Sequence, residues 1–430
     1  MGGKEIGSTM RRRIMCEKKV KSPGSDISYD VCVVGAGAFG SCTAYHLSKF
    51  PNLDICLVGP GEPEKKSRKE AVFGCHYDEG RITRVISDVK TFQLLSYRST
   101  LKFAQLERES GLKIFSEVGY GMVGVIIGKF AIEVKNGDEF CEKNGIDYEI
   151  LDEKTDSEKW SYFVPPKNFT GRLVGKLSGY LSIRNLIRAA KVVASNTGVH
   201  YKEIVATSIH KIGDMFQIKL ADDTIINSKK IVLACGSFIN FFDFPLQKPL
   251  QLELMGHSVM KFEVSEEDYE LTKDFPAMNY RYDPKNGDVY LFILPPIQYP
   301  NGKYYIKLGH TADYPAEGLE QSLGTLEEVK DWYCMEDYTP ARDHFTKYFK
   351  QMFPSIVPVS VQLDHCVISL TKTGRQYIGF DSENVLVAAG GNGASAKMGL
   401  EIGNICANSI VKGEWDYDLD EIDFRIVYKK

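Results

Sequence analysis

One short run, Gly35-Ala36-Gly37-Ala38-Phe39-Gly40, constrains what this chain can fold into more than any other feature. Ahead of it stands Asp30-Val31-Cys32-Val33-Val34, largely apolar and β-branched, as suits a strand buried on both faces. Behind it a helical stretch runs through Leu47, and a second buried-strand pattern follows at Asp54-Ile55-Cys56-Leu57-Val58. Together they make a βαβ unit of about 30 residues. In that setting Gly35 permits the tight turn, Gly37 lets the backbone approach a pyrophosphate, and Gly40 allows close helix–strand packing. The helix N-terminus turns its unpaired amides and positive dipole end toward the phosphates. The pattern predicts a dinucleotide-binding site.

One element departs from it. An acid ordinarily ends the second strand and holds the ribose hydroxyls, but Gly59 stands in that place. Glu62 is the candidate to reach the ribose from the neighbouring loop, the alternative being a solvated carboxylate. Near the far end, the buried-strand pattern Val385-Leu386-Val387-Ala388-Ala389 runs into a glycine-rich turn, Gly390-Gly391-Asn392-Gly393. This turn suggests a second contact region for a long cofactor, with Gly390 and Gly393 as its contacts. The chain has no second G-x-G-x-x-G for a nicotinamide donor. FAD is therefore the expected sole redox cofactor.

With 430 residues, the chain is long enough for two substructures. Lys90 to Glu109 carries apolar residues at helical spacing, whereas 112–175 reads as short strands and loops. A helix is expected over 182–196, then strands around Phe216–Leu220 and Ile231–Cys235. From 250 to 365 strand patterns dominate, with helical segments near 324–334 and 341–353, and a last helix runs from about Lys397 to Lys412. The α/β signals thus sit at the start, middle and end, with β-rich segments between. We read an α/β fold with a Rossmann-like FAD-binding domain from residues 28–110, 176–250 and 360–430. An interleaved antiparallel, β-rich substrate domain takes 111–175 and 251–359. Residues 1–27, with Arg11, Arg12, Arg13, Lys18, Lys19 and Lys21, are expected to be a disordered basic tail.

A net charge of −4 gives no electrostatic reason to expect nucleic acid or an anionic membrane as partner. No apolar run approaches the roughly eighteen residues that suggest a membrane span. The ten cysteines include no C-x-x-C pair, and no apolar signal stretch follows Met1, so buried free thiols and a cytoplasmic location are expected. No histidine pair has a metal-ligand spacing such as H-E-x-x-H, and no metal is expected.

Four blocks, in this order along the chain, resemble the monomeric sarcosine oxidase family, which includes N-methyltryptophan and pipecolate oxidases within the D-amino-acid-oxidase superfamily. Asp78-Glu79-Gly80-Arg81-Ile82-Thr83-Arg84 is similar to the family's G-D-T-R-I-I-R, and Tyr304-Tyr305-Ile306-Lys307-Leu308-Gly309-His310 to its G-L-K-L-G-Y-H. Cys366-Val367-Ile368-Ser369-Leu370-Thr371 resembles C-x-Y-T-x-T, and Ala388 to Lys397 resembles A-A-G-F-S-G-H-G-F-K. The resemblance implies that Arg81 lies near the flavin and that Arg84 and Lys397 clamp a substrate carboxylate. It implies that Lys307 activates oxygen beside the flavin, that His310 is a pocket residue, and that Cys366 carries FAD through a thioether. Asn286-Gly287-Asp288-Val289-Tyr290 resembles the family's N-G-x-x-Y and makes Tyr290 a pocket candidate; Val205 aligns with a residue flanking the adenine. Ile368, Gly391, Ala394 and Ala396 replace larger or hydroxylated family residues, which predicts a differently shaped pocket.

The implied activity is oxidation of a secondary amine, or of an N-methyl or cyclic amino acid. A hydride passes to the flavin, an imine leaves, and O₂ is reduced to H₂O₂ by a protein expected to be monomeric. Two other readings stay open: a flavin dehydrogenase that hands electrons to a carrier protein, and a flavin-binding protein without catalysis.

Overall fold

The computed structural model describes residues 28–63, 72, 74, 76–126, 128–152, 159–281, 289–311 and 318–430. The expected basic tail and Asn286-Gly287-Asp288 of the N-G-x-x-Y motif lie outside these residues. The first strand, Ser28–Val34, sits in the middle of an eight-stranded sheet and runs parallel to Ile55–Val58 on one side and Ile225–Leu233 on the other. Its residues Val31 to Val34 are almost wholly inaccessible, which explains why the run is apolar without alternation. The sheet order is Ala206–Ile212, Met215–Leu220, Ile225–Leu233, Ser28–Val34, Ile55–Val58, His200–Lys202. Val385–Ala389 adds parallel to the end of Ile225–Leu233, and Tyr377–Ser382 pairs with it. Three separate stretches of chain therefore build one sheet.

Helices Ala38–Leu47, Lys90–Ser110, Ile183–Asn196 and Gly399–Lys412 pack together. Where the first and last cross, a Cβ on Gly403 would meet the Cys42 carbonyl carbon at 2.4 Å, so only glycine permits the approach.

The second sheet has nine strands and is antiparallel except where Ala277–Arg281 runs parallel to Tyr120–Gly124. Its long member, Leu252–Glu263, pairs over its whole length with Ser360–Thr371 and also with Tyr304–His310. Helix Thr339–Met352 packs against it, with Phe349 stacked on Phe262 at 3.9 Å between ring centroids. Helix Leu326–Cys334 begins at a capping box made by Thr325 and Glu328. A small sheet of Arg81–Thr83, Gly179–Leu181 and Phe115–Ser116 completes the strands.

The α/β class with a Rossmann-like sheet and a separate antiparallel sheet is as expected from the sequence. Two local readings change. Ser360–Thr371 belongs to the nine-stranded sheet by its ladder, although the boundary drawn at 360 grouped it with the nucleotide segments. Gly128–Asn144 is a helix, within a segment read as strands and loops.

Candidate active site

A cavity of about 400 Å³ opens between the two sheets, within the usual range for cofactor and ligand sites. On the eight-stranded side its wall is mostly backbone. Gly35 has φ +107°, and a Cβ there would lie 2.2 Å from the Ala234 carbonyl oxygen; its N–H donates to Val58 O at 2.7 Å. Gly40 lies beneath the turn, where a Cβ would stand 1.7 Å from Gly35 O. Gly37 is the N-cap of Ala38–Leu47 and supplies no side-chain cap, so the first amides of the helix are left for a ligand. Gly59 lacks the usual acid for a steric reason: a Cβ there would meet Ala36 N at 2.4 Å.

Glu62 does not join the wall. Arg184 takes both of its carboxylate oxygens, Nη2 at 2.5 Å and Nε at 3.0 Å, which fixes it outside the cavity. Val205 does line the cavity, and so does His76, whose imidazole burial pushes down to about 3.

The second glycine turn closes the same cavity. Gly390 has φ +78°, and a Cβ would collide with Thr371 Cγ2 at 2.0 Å. Asn392 ties the turn to the strand carrying Cys366: its N–H donates to Ser369 O at 3.0 Å, and its Oδ1 accepts from Thr371 N at 2.8 Å. Gly393 and Lys397 also line the cavity; Lys397 is buried and donates to Ala394 O at 2.6 Å. Cys366 is a partly buried cysteine in the wall, opposite His257 in the ladder.

On the nine-stranded side the wall is built from charge. Lys307 is 1% exposed and gives hydrogen bonds to Asp78 Oδ2 at 2.7 Å, Glu79 O at 2.7 Å and Gly80 O at 2.8 Å. Burial lowers its pKa to about 8, with Asp78 opposing the shift. Asp78 also accepts from Arg81 Nη1 at 2.8 Å and from Tyr299 OH at 2.8 Å. Burial pushes the Asp78 carboxyl up, but Lys307 and Arg81 more than offset this and hold it well below the usual range.

Arg84 lines the cavity, and its Nη1 donates to a carboxylate of the chain itself, Glu133, and to Tyr120 OH at 3.1 Å. The other Glu133 oxygen accepts from Tyr290 OH at 2.9 Å, and Asn279 Nδ2 donates to that hydroxyl at 3.3 Å. Tyr290 thus sits behind Glu133 and not in the wall. Burial, then the Glu133 charge, pushes its phenol far above the ordinary range and keeps it a donor. His310 lines the cavity with Nε2 2.9 Å from His344 Nε2. Burial lowers His310 to about 3 and His344 to about 4, so both rings are neutral near pH 7.

Of the residues singled out in the sequence, Gly35, Gly37, Arg81, Arg84, Val205, Lys307, His310, Cys366, Gly390, Gly393 and Lys397 meet in one cavity. Gly40 supports the turn from below, and Glu62 and Tyr290 lie elsewhere. Sequence reasoning passed over Asp78, although it opens the first of the four blocks. It also passed over Glu133, which no motif contains. Among the described residues no group of three or more His, Cys, Asp or Glu side chains is placed to hold a metal. No described helix is long and apolar enough to cross a membrane.

The family model described as DAO, FAD dependent oxidoreductase, matches residues 30–409. The chain belongs to this family of FAD-dependent oxidoreductases. It is 24% identical over 409 residues to monomeric sarcosine oxidase of Arthrobacter sp. (strain TE1826), covering 91% of this chain and 94% of that protein. It is 23% identical over 408 residues to a probable sarcosine oxidase of Arabidopsis thaliana, covering 90% and 89%. N-methyl-L-tryptophan oxidase of Yersinia pestis (strain Pestoides F) matches at 24% over 219 residues, half of this chain and 55% of that one.

Among solved structures, the fold is shared with a variant of NikD, an unusual amino acid oxidase essential for nikkomycin biosynthesis. The TM-score is 0.75 at 17% identity, over 93% of this chain and 98% of that one. L-proline dehydrogenase from P. horikoshii has a TM-score of 0.67 at 15% identity, over 93% and 97%. The residues present fit FAD: an uncapped helix N-terminus behind a glycine turn, and a second glycine turn closing the same cavity.

Proposed function

We propose that this chain oxidises the C–N bond of a small secondary amine, of N-methyl or cyclic amino-acid type, and passes the electrons to O₂. The observation that carries this reading is a single cavity lined both by a dinucleotide cradle and by Arg84, Lys307 and Lys397. Bound in this cavity, FAD would supply the hydride acceptor and the electron pair that, with two protons, converts O₂ to H₂O₂. The amine reacts as its free base, because its lone pair drives hydride departure and leaves an iminium, which becomes the imine on losing its N–H proton. Burial and the nearby Lys397 and Arg81 charges favour that neutral form. Arg84 and Lys397 are the polar groups that orient the substrate.

Lys307 is the proposed oxygen-activating residue. Its ammonium is a fixed, buried positive charge in the cavity wall, and such a charge stabilises negative charge developing on oxygen. Asp78, Glu79 O and Gly80 O accept its three hydrogen bonds and hold it in one place. Cys366 is the proposed point of covalent attachment, being a cysteine that lines the same cavity.

Acid precipitation tests the attachment. Yellow colour is expected in the pellet for the native chain and in the supernatant for Cys366→Ser; colour in the native supernatant removes the thioether. Peroxide formed in step with imine supports the oxidase, whereas imine formed only with an added electron carrier would make the chain a dehydrogenase.

A further inference from the structure

We propose that Glu133 is the specificity-determining residue of the substrate side. It occupies Arg84, so the substrate presents a neutral acceptor to this guanidinium, such as an amide, ester or hydroxyl oxygen, in place of a carboxylate. The proposal rests on the amine-oxidase reading and narrows its substrate class.

Glu133 is not a mobile surface acid. It is 5% exposed and stands on helix Gly128–Asn144 among Arg84, Tyr120 and Tyr290, the last two on different strands of the nine-stranded sheet. Tyr290 OH donates to it at 2.9 Å, and Asn279 Nδ2 donates to Tyr290 in turn at 3.3 Å. With both oxygens engaged, the carboxylate is fixed behind Arg84.

Among the described residues every hydrogen bond of the Arg84 guanidinium runs through Nη1. Nη2 and Nε therefore remain as donors for a substrate on a residue that lines the cavity. The Arg84–Glu133 pair is already neutral overall. A substrate carboxylate on the remaining edge would share one positive charge with Glu133 at close range, and a buried setting strengthens that repulsion. A neutral oxygen accepts the same hydrogen bonds without it. Elsewhere in the cavity wall Lys307 and Arg81 share Asp78, at 2.7 Å and 2.8 Å.

The test compares N-methylglycine with N-methylglycinamide in the native holoenzyme and in Glu133→Gln. The native enzyme is expected to favour the amide by at least tenfold in kcat/KM, and Glu133→Gln to reverse the order, chiefly through a lower KM for the acid. A native enzyme that favours the acid, or a variant with unchanged preference, overturns the proposal. Binding of propionate and propionamide, followed by the change in flavin absorbance, reads the same preference without turnover. If neither amine reduces the flavin, these two compounds are not substrates, and the amine-oxidase reading is decided separately by titration with the wider set of secondary amines. The inert pair then still decides the role of Glu133: tighter propionamide in the native protein supports it, and tighter propionate contradicts it. Should Glu133→Gln lose FAD, the preference of the native protein decides between the same two outcomes.

Discussion

On the eight-stranded side the cavity is shaped by backbone, at Gly35, Gly37, Gly59 and Gly390, where side chains are absent because neighbouring atoms or a ligand need the space. On the nine-stranded side it is shaped by charged side chains, Arg84 with Glu133 and Lys307 with Asp78, brought together from distant segments. The first wall is specified locally, by residues adjacent in sequence. The second exists only after a helix, a loop and several strands have met. A local motif therefore announces the cofactor, whereas the substrate wall has to be seen assembled.

The largest effect should come from filling the backbone wall. Gly40→Ala places a Cβ 1.7 Å from Gly35 O and should destabilise the chain by ~3 kcal/mol or more, read as a lower Tm and lost flavin. Gly391→Ala, where a Cβ meets nothing within 4 Å, should stay close to native in both readouts. Equal behaviour of the two variants would deny that backbone crowding shapes this wall.

Changing the charged wall should leave the fold intact and alter rates. Lys307→Met should slow flavin reoxidation by O₂ by about 10²-fold, with much less effect on reduction by amine. Equal slowing of both half-reactions would deny Lys307 its oxygen role. A smaller, graded effect should appear with pH. Burial lowers Lys307 to about 8, so its ammonium is present at pH 7 and is lost as pH rises through that value. The reoxidation rate should fall over the same range in the native enzyme and stay flat in Lys307→Met. The smallest effect is expected at Glu62, whose carboxylate is 40% exposed and engaged with Arg184. Glu62→Gln should change FAD affinity by less than about 1 kcal/mol, measured by titrating the apoprotein; a tenfold loss would restore its ribose role.

The same contrast explains what the sequence revealed. The strand–glycine–helix unit, the buried strand at Val385–Ala389 and the helix at Ile183–Asn196 follow from local periodicity and glycine placement, and all three are present. Helix Gly128–Asn144 escaped because its buried face, Phe130, Glu133, Val134, Gly137 and Cys141, is broken by an acid and a glycine. Both exceptions have tertiary causes. Gly137 is needed where a Cβ would meet Ile86 Cγ2 at 2.7 Å, and Glu133 is buried because Arg84 and Tyr290 receive it. Asp78 was in plain view within a recognised block, but its partner Lys307 lies 229 residues away. Glu62 shows the converse, since proximity in sequence did not bring it into the wall, and it pairs with Arg184 instead.

The most direct test of amine oxidation is an anaerobic titration of the purified, FAD-loaded protein with secondary amines, followed at the visible flavin bands. An N-methyl or cyclic amine is expected to bleach the flavin, and admitting O₂ to restore the colour with formation of H₂O₂. Absence of any flavin spectrum after FAD addition, or a flavin that no amine bleaches, would contradict the proposed function.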